Sequence, residues 1–468
     1  MLSVNRISRY GAVLAASLFT SSAAFGQSIM LSPKNGPPET SIEVSGGGFS
    51  PGASVDIYFD DQDQVLATPD SSGSLSKLAI SVPAPASPGQ HTVSAVPRGG
   101  GAATQTSFTV RTNWTEYGFS AQRTFDNAHE NVLSASTVSR LGLKWSFPAG
   151  GAITSSPAVS NGVVYFGSQD GNVYALDDTT GTELWSYTTG AGVSSSPAVI
   201  DGLLFVGSDA FYALDATTGT EVWSAAIAGT SSPAVENGVV YFATLQPTIF
   251  TGGSVYALNA RTGEPLWQYT TPIPFNYSCW DVAVAYTTVY GGCENLTLRL
   301  DATTGQIIWR RNDGPAVAAA GGVVYTTSGY DILFAIEPGG SVLWKYGLGG
   351  GASSAVSAPA VSNDAAYAGI KGGSLSAVNL TSGASLWTAN GQFTTTPAVA
   401  NGVVYIGSDQ EMHALDGSTG KVLWTHKAPA GCAAVVANGT LYFCSGDALY
   451  AFGLPGSQAP ERLVEGDQ

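Results

Sequence analysis

The side chains with most chemical promise gather around one irregular stretch, Asn276 to Asp281 (NYSCWD), and the hairpin strand that follows it. Trp280 offers a flat ring on which a cofactor can stack, and Asp281 or Glu294 a carboxylate able to serve as a base or metal ligand. The competing reading makes Trp280 the filler of a position where neighbouring units carry proline. A second set is acidic. Asp170, Asp209, Glu294, Asp331, Asp409 and Asp447 stand at matching turns, and carboxylates converging on one mouth would hold a cation or a basic partner. Asp-Gly turn chemistry accounts for most of them without a ligand. The catalytic candidates are therefore Asp281 and Glu294, the cofactor candidate is Trp280, and the metal candidates are Asp170, Asp209, Asp409 and Asp447.

Histidine chemistry is thin. His91 is alone in its strand, and His129, beside Asp126 and Glu130, has no second His or Cys nearby and reads as part of a solvated loop. His413 and His426 lie within strand patterns. No HExxH, no Gly-rich phosphate loop after a strand and no Ser-His-Asp order occurs.

The elements that must position these residues come from a repeat. ALDATTGTEVW (Ala213 to Trp223) reads as a strand end, a tight turn and a second strand. Asp and Thr oxygens can bond turn N–H groups there, and Gly219 can take positive φ. It recurs as ALDDTTGTELW, ALNARTGEPLW, RLDATTGQIIW, AVNLTSGASLW and ALDGSTGKVLW, with a shorter AIEPGGSVLW. Trp145, Trp185, Trp223, Trp267, Trp309, Trp344, Trp387 and Trp424 are spaced by 40, 38, 44, 42, 35, 43 and 37 residues. Each unit opens with an inner strand such as SSPAV, passes an Asn-Gly or Asp-Gly turn and continues as GVVYFGS, which predicts four strands per unit. A period near forty with several short strands signals a propeller or a solenoid. Inner hairpins and Trp strands are out of phase, since Trp145 precedes the first hairpin and no Trp strand follows the last. A ring solves this by pairing LGLKWSF with the last unit, so the prediction is an all-β, eight-bladed β-propeller closed by its own N-terminal strand. The eight tryptophans are expected to pack between blades.

The chain carries a formal charge of -16 and a pI near 4.5 over 468 residues, which argues against nucleic acid and anionic membranes as partners. Arg6 and Arg9, the apolar Gly11 to Phe19 and Ala24-Phe25-Gly26 predict a signal peptide over 1–26, and no stretch is long enough for a transmembrane helix. The expected location is the periplasm, cell surface or medium. Residues 27–111 have strand-like runs between Gly/Pro turns and read as a small β-sandwich. A lead-in over 112–142, with a helical turn or two in Ser134 to Leu141 and otherwise irregular packing over the next domain, leads to the propeller at 143–455 and a disordered tail at 456–468.

Four cysteines in an exported chain suggest two disulfides. Aligning blades on Tyr165, Tyr290 and Tyr442 sets Cys279 opposite Cys293 and Cys432 opposite Cys444, so each pair should join inner to second strand, one pair a step out of register with the other.

Ser45 to Phe59 (SGGGFSPGASVDIYF), with the closing SFTV, resembles bacterial Ig-like (IPT/TIG-type) domains. The repeat D-x-x-T-G-x-x-x-W after PAV-x-x-G-x-V-Y resembles the PQQ-type (quinoprotein-like) propeller family over about 310 residues, which includes pyrroloquinoline quinone (PQQ) dehydrogenases and the propeller of the outer-membrane barrel-assembly machinery. For an enzyme the resemblance implies an adjacent Cys-Cys pair, a catalytic Asp and Glu and Asn ligands for Ca²⁺, and this chain has no adjacent cysteines. The expectation is an exported, non-catalytic binding or scaffold protein with no cofactor, whose partner is another protein or a surface glycan. The alternatives are a PQQ-dependent dehydrogenase using PQQ and Ca²⁺, and an outer-membrane assembly propeller.

Overall fold

The computed structural model describes residues 26–244, 253–271, 279–293, 296–312, 314, 316–328, 331–349 and 357–456. The leader through Phe25, Glu294, the side chain of Trp280 and the tail from Ser457 lie outside them. The chain forms two compact units, each taken by itself.

In the smaller unit Ser28–Ser32, Ser41–Gly47 and Leu75–Ser81 make a three-stranded antiparallel sheet. Val55–Phe59 pairs antiparallel with Gln62–Ala67 and with Gly89–Pro97. Strand alternation sends Ile42 and Val44 inward, and with Val55, Ile57, Phe59, Val93 and Ala95 they are buried.

The larger unit is all-β and propeller-like. Among the described residues, eight sheets of at least four strands lie between Gly142 and Gly453. Sheet 1 runs Ala158–Ser160, Val163–Gly167, Asn172–Asp177, Glu183–Thr188, from inner to outer strand. Sheets 2 to 7 repeat this order with inner strands Ala198–Ile200, Ala234–Glu236, Cys279–Ala285, Ala316–Ala320, Ala360–Ser362 and Ala398–Ala400. Sheet 8 takes Val435–Ala437, Thr440–Ser445 and Ala448–Gly453 from the far end of the chain and Gly142–Pro148 as its outer strand. Trp145 there lies opposite Ala451, so the predicted pairing of the first strand with the last hairpin is present. The inner hairpins turn on paired positive-φ residues, as at Asn161 (51°) and Gly162 (81°), which is the two-residue turn that matches strand twist.

The repeat's Trp and Gly meet across neighbouring sheets. Trp145 Nε1 donates to the Asp178 carbonyl at 3.0 Å, Trp185 to Ala216 at 3.1 Å, Trp267 to Ala302 at 2.8 Å and Trp387 to Gly417 at 2.8 Å. The glycine of each Thr-Gly turn lies against the same indole. Gly181 has φ +70°, and a Cβ there would sit 2.6 Å from Trp145, so the position demands glycine for both conformation and space. Trp145 is buried, and the other seven tryptophans are half-buried because the outer strand stands at the rim.

Both cysteine pairs form disulfides as read from the sequence, Cys279–Cys293 and Cys432–Cys444. Cys279 is directly opposite Cys293, beside a bulge at Trp280, whereas Cys432 precedes its strand, and the Cα separations are 3.8 and 5.4 Å.

The lead-in is a structural correction. It was expected to pack irregularly over the domain; instead residues 112–130 run along the inner strands of the sheets. The N–H groups of Val159, Val199, Val284, Ala319, Val361 and Val399 donate to the carbonyls of Trp114, Thr115, Ala121, Gln122, Thr124 and Phe125, at 2.7 to 2.8 Å. Val235 N–H donates instead to the Glu116 carboxylate at 3.0 Å, and Asn127 Nδ2 donates to the Val436 carbonyl at 2.8 Å. Each of these eight residues stands six positions before the aromatic of its second strand, from Tyr165 to Tyr442. One segment thus satisfies the exposed inner edge of every sheet in chain order, which a row of open strand edges needs. Its path uses left-handed residues, Phe119 (78°), Arg123 (58°) and Phe125 (52°). The expected helical turn is a 3-10 turn at Val138–Arg140.

Candidate functional site

Nine positions before the same aromatics, the sheets present Ser156, Ser196, Ser232, Asp281, Ala316, Ala358, Thr396 and Ala433. Their hydroxyls bond from sheet to sheet. Ser156 Oγ accepts the Ala433 N–H at 3.1 Å, Ser196 Oγ the Ser156 N–H at 2.9 Å and Ser232 Oγ the Ser196 N–H at 2.9 Å. A hydroxyl whose oxygen accepts a backbone N–H still has its own proton to donate.

These serines line a cavity of about 440 Å³ with Thr154, Ser194, Thr394, Thr395 and Thr396, the Cys432 wall, Lys371 and Asp409. Tyr117, carried in by the lead-in, also lines it. Burial pushes the Tyr117 hydroxyl up to about 12, the Asp281 carboxylate adds to this, and a hydrogen bond with Thr396 opposes it. Phe125 meets the Tyr117 ring edge to face at 5.0 Å, and the Arg123 guanidinium lies 5.1 Å from its centroid.

Arg123 is completely buried. Its Nε donates to the Val282 carbonyl at 2.9 Å, Nη2 to those of Ser232 and Pro233 at 2.8 and 3.0 Å, and Nη1 to the Tyr117 carbonyl. Asp281 Oδ1 stands 3.5 Å from Nε and accepts the Val282 N–H at 2.9 Å. Burial raises Asp281 to about 6 and Glu116 to about 7, with Arg123 pulling both down. Of the sequence candidates, then, Asp281 belongs to a buried charge cluster behind the cavity and not to its wall.

The acidic turns separate in the same way. Asp170 accepts the N–H groups of Gly150 and Asn172 at 2.7 and 2.8 Å and the Tyr174 hydroxyl at 2.7 Å. Burial would raise it, but these bonds hold it below the usual carboxylate range. Asp209 does the same for Gly190 N–H and the Tyr212 hydroxyl, each at 2.9 Å. Asp331 is buried, and Asp447 is exposed, using its carbonyl to accept the Ala149 N–H. Among the described residues of the set, Asp409 alone lines the cavity. Among the described residues no three His, Cys, Asp or Glu side chains converge as a metal group. Glu130, read as part of a solvated loop, is instead buried and accepts from Val132, Leu133 and Gly439 N–H groups and the Thr112 hydroxyl, at 2.8 to 3.2 Å.

Tyr117, the serine arc and Lys371 were missed by sequence reading. The serines carried a signal in the SSP repeated before the first three inner strands; Tyr117, in an aperiodic segment, carried none.

A family model described as outer membrane protein assembly factor BamB matches residues 61–187, 89–278, 294–389 and 371–454. A stretch of 123 residues is 28% identical to 1-butanol dehydrogenase (quinone) of Thauera butanivorans, covering 25% of this chain and 18% of that protein's length. The fold is shared with quinohemoprotein alcohol dehydrogenase ADHIIG of Pseudomonas putida HK5, at a TM-score of 0.62 and 16% identity over 76% of this chain and 82% of that one. It is shared also with BamB of Moraxella catarrhalis, at 0.55 and 20% identity over 67% of this chain and 99% of that one. The expectation of no cofactor is corrected by these relatives, two of which are named for quinone chemistry. That expectation leaned on the missing Cys-Cys pair, and a cavity assembled from separate sheets was invisible to it. Among the described residues no helix is long and apolar enough to cross a membrane.

Proposed function

This chain belongs to the family described as outer membrane protein assembly factor BamB, and from that premise we propose that it is an exported, eight-bladed propeller of the quinoprotein kind whose channel mouth binds a planar quinone for the oxidation of small alcohols. The observation carrying this reading is the cavity of about 440 Å³ that brings an aromatic side chain, Tyr117, together with hydroxyl donors. Residues 27–111 form an Ig-like module ahead of it.

The donor set suits a flat, acceptor-rich molecule. Ser156, Ser196 and Ser232 have protons to give to carboxylate or carbonyl oxygens, and Lys371 supplies the positive charge an anionic quinone needs. A metal is less well served, since Asp409 is the one carboxylate among the described lining residues, and no step is assigned to one. A bound quinone would receive the two electrons of alcohol oxidation. Tyr117 would support its face, the serine arc would fix its orientation in the plane, and Asp409 would take the alcohol's hydroxyl proton.

Purified full-length chain should quench or shift the absorbance of added PQQ at a one-to-one ratio and reduce a redox dye with 1-butanol. Absence of PQQ binding, with and without Ca²⁺, would remove this reading. The second reading is an assembly platform that binds another protein, supported by the family description and by a fold that spans nearly all of a BamB chain. Co-purification with a barrel-assembly component from an envelope extract, together with no PQQ binding, would favour it.

A further inference from the structure

Arg123 is unusual in how its charge is held. Its hydrogen bonds run to four main-chain carbonyls, those of Tyr117, Val282, Ser232 and Pro233, which stabilise a cation without cancelling it. The nearest carboxylate oxygen, Asp281 Oδ1, is 3.5 Å away and spends a hydrogen bond on the Val282 N–H. Glu116 likewise bonds the Val235 N–H. The guanidinium lies 5.1 Å from the centroid of the Tyr117 ring, and Tyr117 lines the cavity.

We propose that Arg123 is a positioning and specificity residue: with Asp281 and Glu116 it sets the charge beneath Tyr117, so that the cavity selects an anionic planar ligand over a neutral one of similar size. This rests on the reading of the cavity as a quinone site. The groups that face the cluster are Tyr117 above it, Asp281 from sheet 4 and Glu116 from the lead-in, with Glu236 from sheet 3 acting on Glu116; Lys371 and Asp409 stand on the cavity wall. With both buried carboxylates protonated the cluster carries one positive charge, and with both ionised one negative charge. Burial places those transitions at about 7 for Glu116 and about 6 for Asp281, against the pull of Arg123. An anionic ligand therefore binds better as pH falls through that range, while a neutral ligand is indifferent.

The test measures affinities of the full chain for PQQ, a tricarboxylate quinone, and for duroquinone, an uncharged one. Arg123→Met removes bonds to four carbonyls and endangers folding itself, so Asp281→Asn and Glu116→Gln carry the test, each checked by its melting curve. A unit charge removed at this range should tighten PQQ about tenfold at pH 8 and leave duroquinone unchanged. In the doubly substituted chain the rise of PQQ affinity between pH 8 and 5 should vanish. Equal changes for both quinones, or no change in folded variants, would overturn the inference while the quinone reading stands. Failure of the unsubstituted chain to bind either quinone would overturn both.

Discussion

Trp145 gives its indole N–H to the carbonyl of Asp178, 3.0 Å away, and so ties the outer strand of sheet 8 to the tight turn of sheet 1. Trp145 is the first tryptophan of the series, yet its own sheet is completed by residues some three hundred positions later, Ala448–Gly453. Sheet 8 is thus joined to sheet 1 through the strand that comes first in the chain.

This junction should be sensitive to small changes. Trp145→Phe keeps an aromatic ring and loses one hydrogen bond, for an expected cost of about 1 kcal/mol. Gly181→Ala forces alanine to φ +70° with its Cβ 2.6 Å from the indole, and should cost about 2–4 kcal/mol. Guanidinium denaturation of both variants checks this, and a Gly181→Ala chain as stable as the parent would contradict the packing.

The Cys432–Cys444 bridge closes a short loop at the cavity wall, with 12 residues of sequence separation. Replacing both cysteines with serine should lower stability by about 2–4 kcal/mol. The parent under strong reductant should move toward the variant's denaturation midpoint, and a midpoint that ignores reductant would speak against the bridge.

Glu116 and Asp281 give the fold a pH dependence whose sign can be stated. Burial raises both above their unfolded values, to about 7 and about 6, so the folded chain binds more protons than the unfolded one between roughly pH 4 and 7. Their contribution is complete below the unfolded values and is lost as pH rises through the folded ones, up to an order of 3 kcal/mol for Glu116. Asp170 and Asp209, held low by hydrogen bonds once burial is overcome, act oppositely and weaken the fold as pH falls below their unfolded range. Stability should therefore peak in mildly acidic solution. Glu116→Gln should flatten the decline toward pH 8 in thermal melts, and an unchanged slope would refute the assignment.

Asp209 separates loop tie from metal ligand. Asp209→Ala removes acceptors for Gly190 N–H and the Tyr212 hydroxyl, which should cost about 1 kcal/mol. The melting temperature should respond to added Ca²⁺ no differently from the parent's. A Ca²⁺-dependent stabilisation that disappears in the variant would make this carboxylate a ligand.

How much of the site was legible depends on the residue. Asp281 was singled out because it ends the irregular stretch NYSCWD and carries a carboxylate able to act as a base or metal ligand, and it does stand at an unusual place, facing Arg123. The reason could not be read, because Arg123 lies 158 positions earlier in a segment without periodicity. The acidic turns looked alike in sequence, yet Asp170 bonds a neighbouring loop and Asp409 faces the cavity. Side-chain type does not say which way a turn carboxylate points.

The amino-acid sequence alone determined the four-stranded units, the pairing of LGLKWSF with the last hairpin, the packing of the tryptophans between units and both disulfides. All of these follow from local turn chemistry and from periodic burial, which repeat in one dimension. Tertiary structure decided the path of the lead-in, the position of Tyr117 and the cavity. Those depend on main-chain N–H groups of seven inner strands and a main-chain carbonyl of the eighth finding partners along one segment, and backbone groups are the same in every residue, so no pattern of side chains announces them.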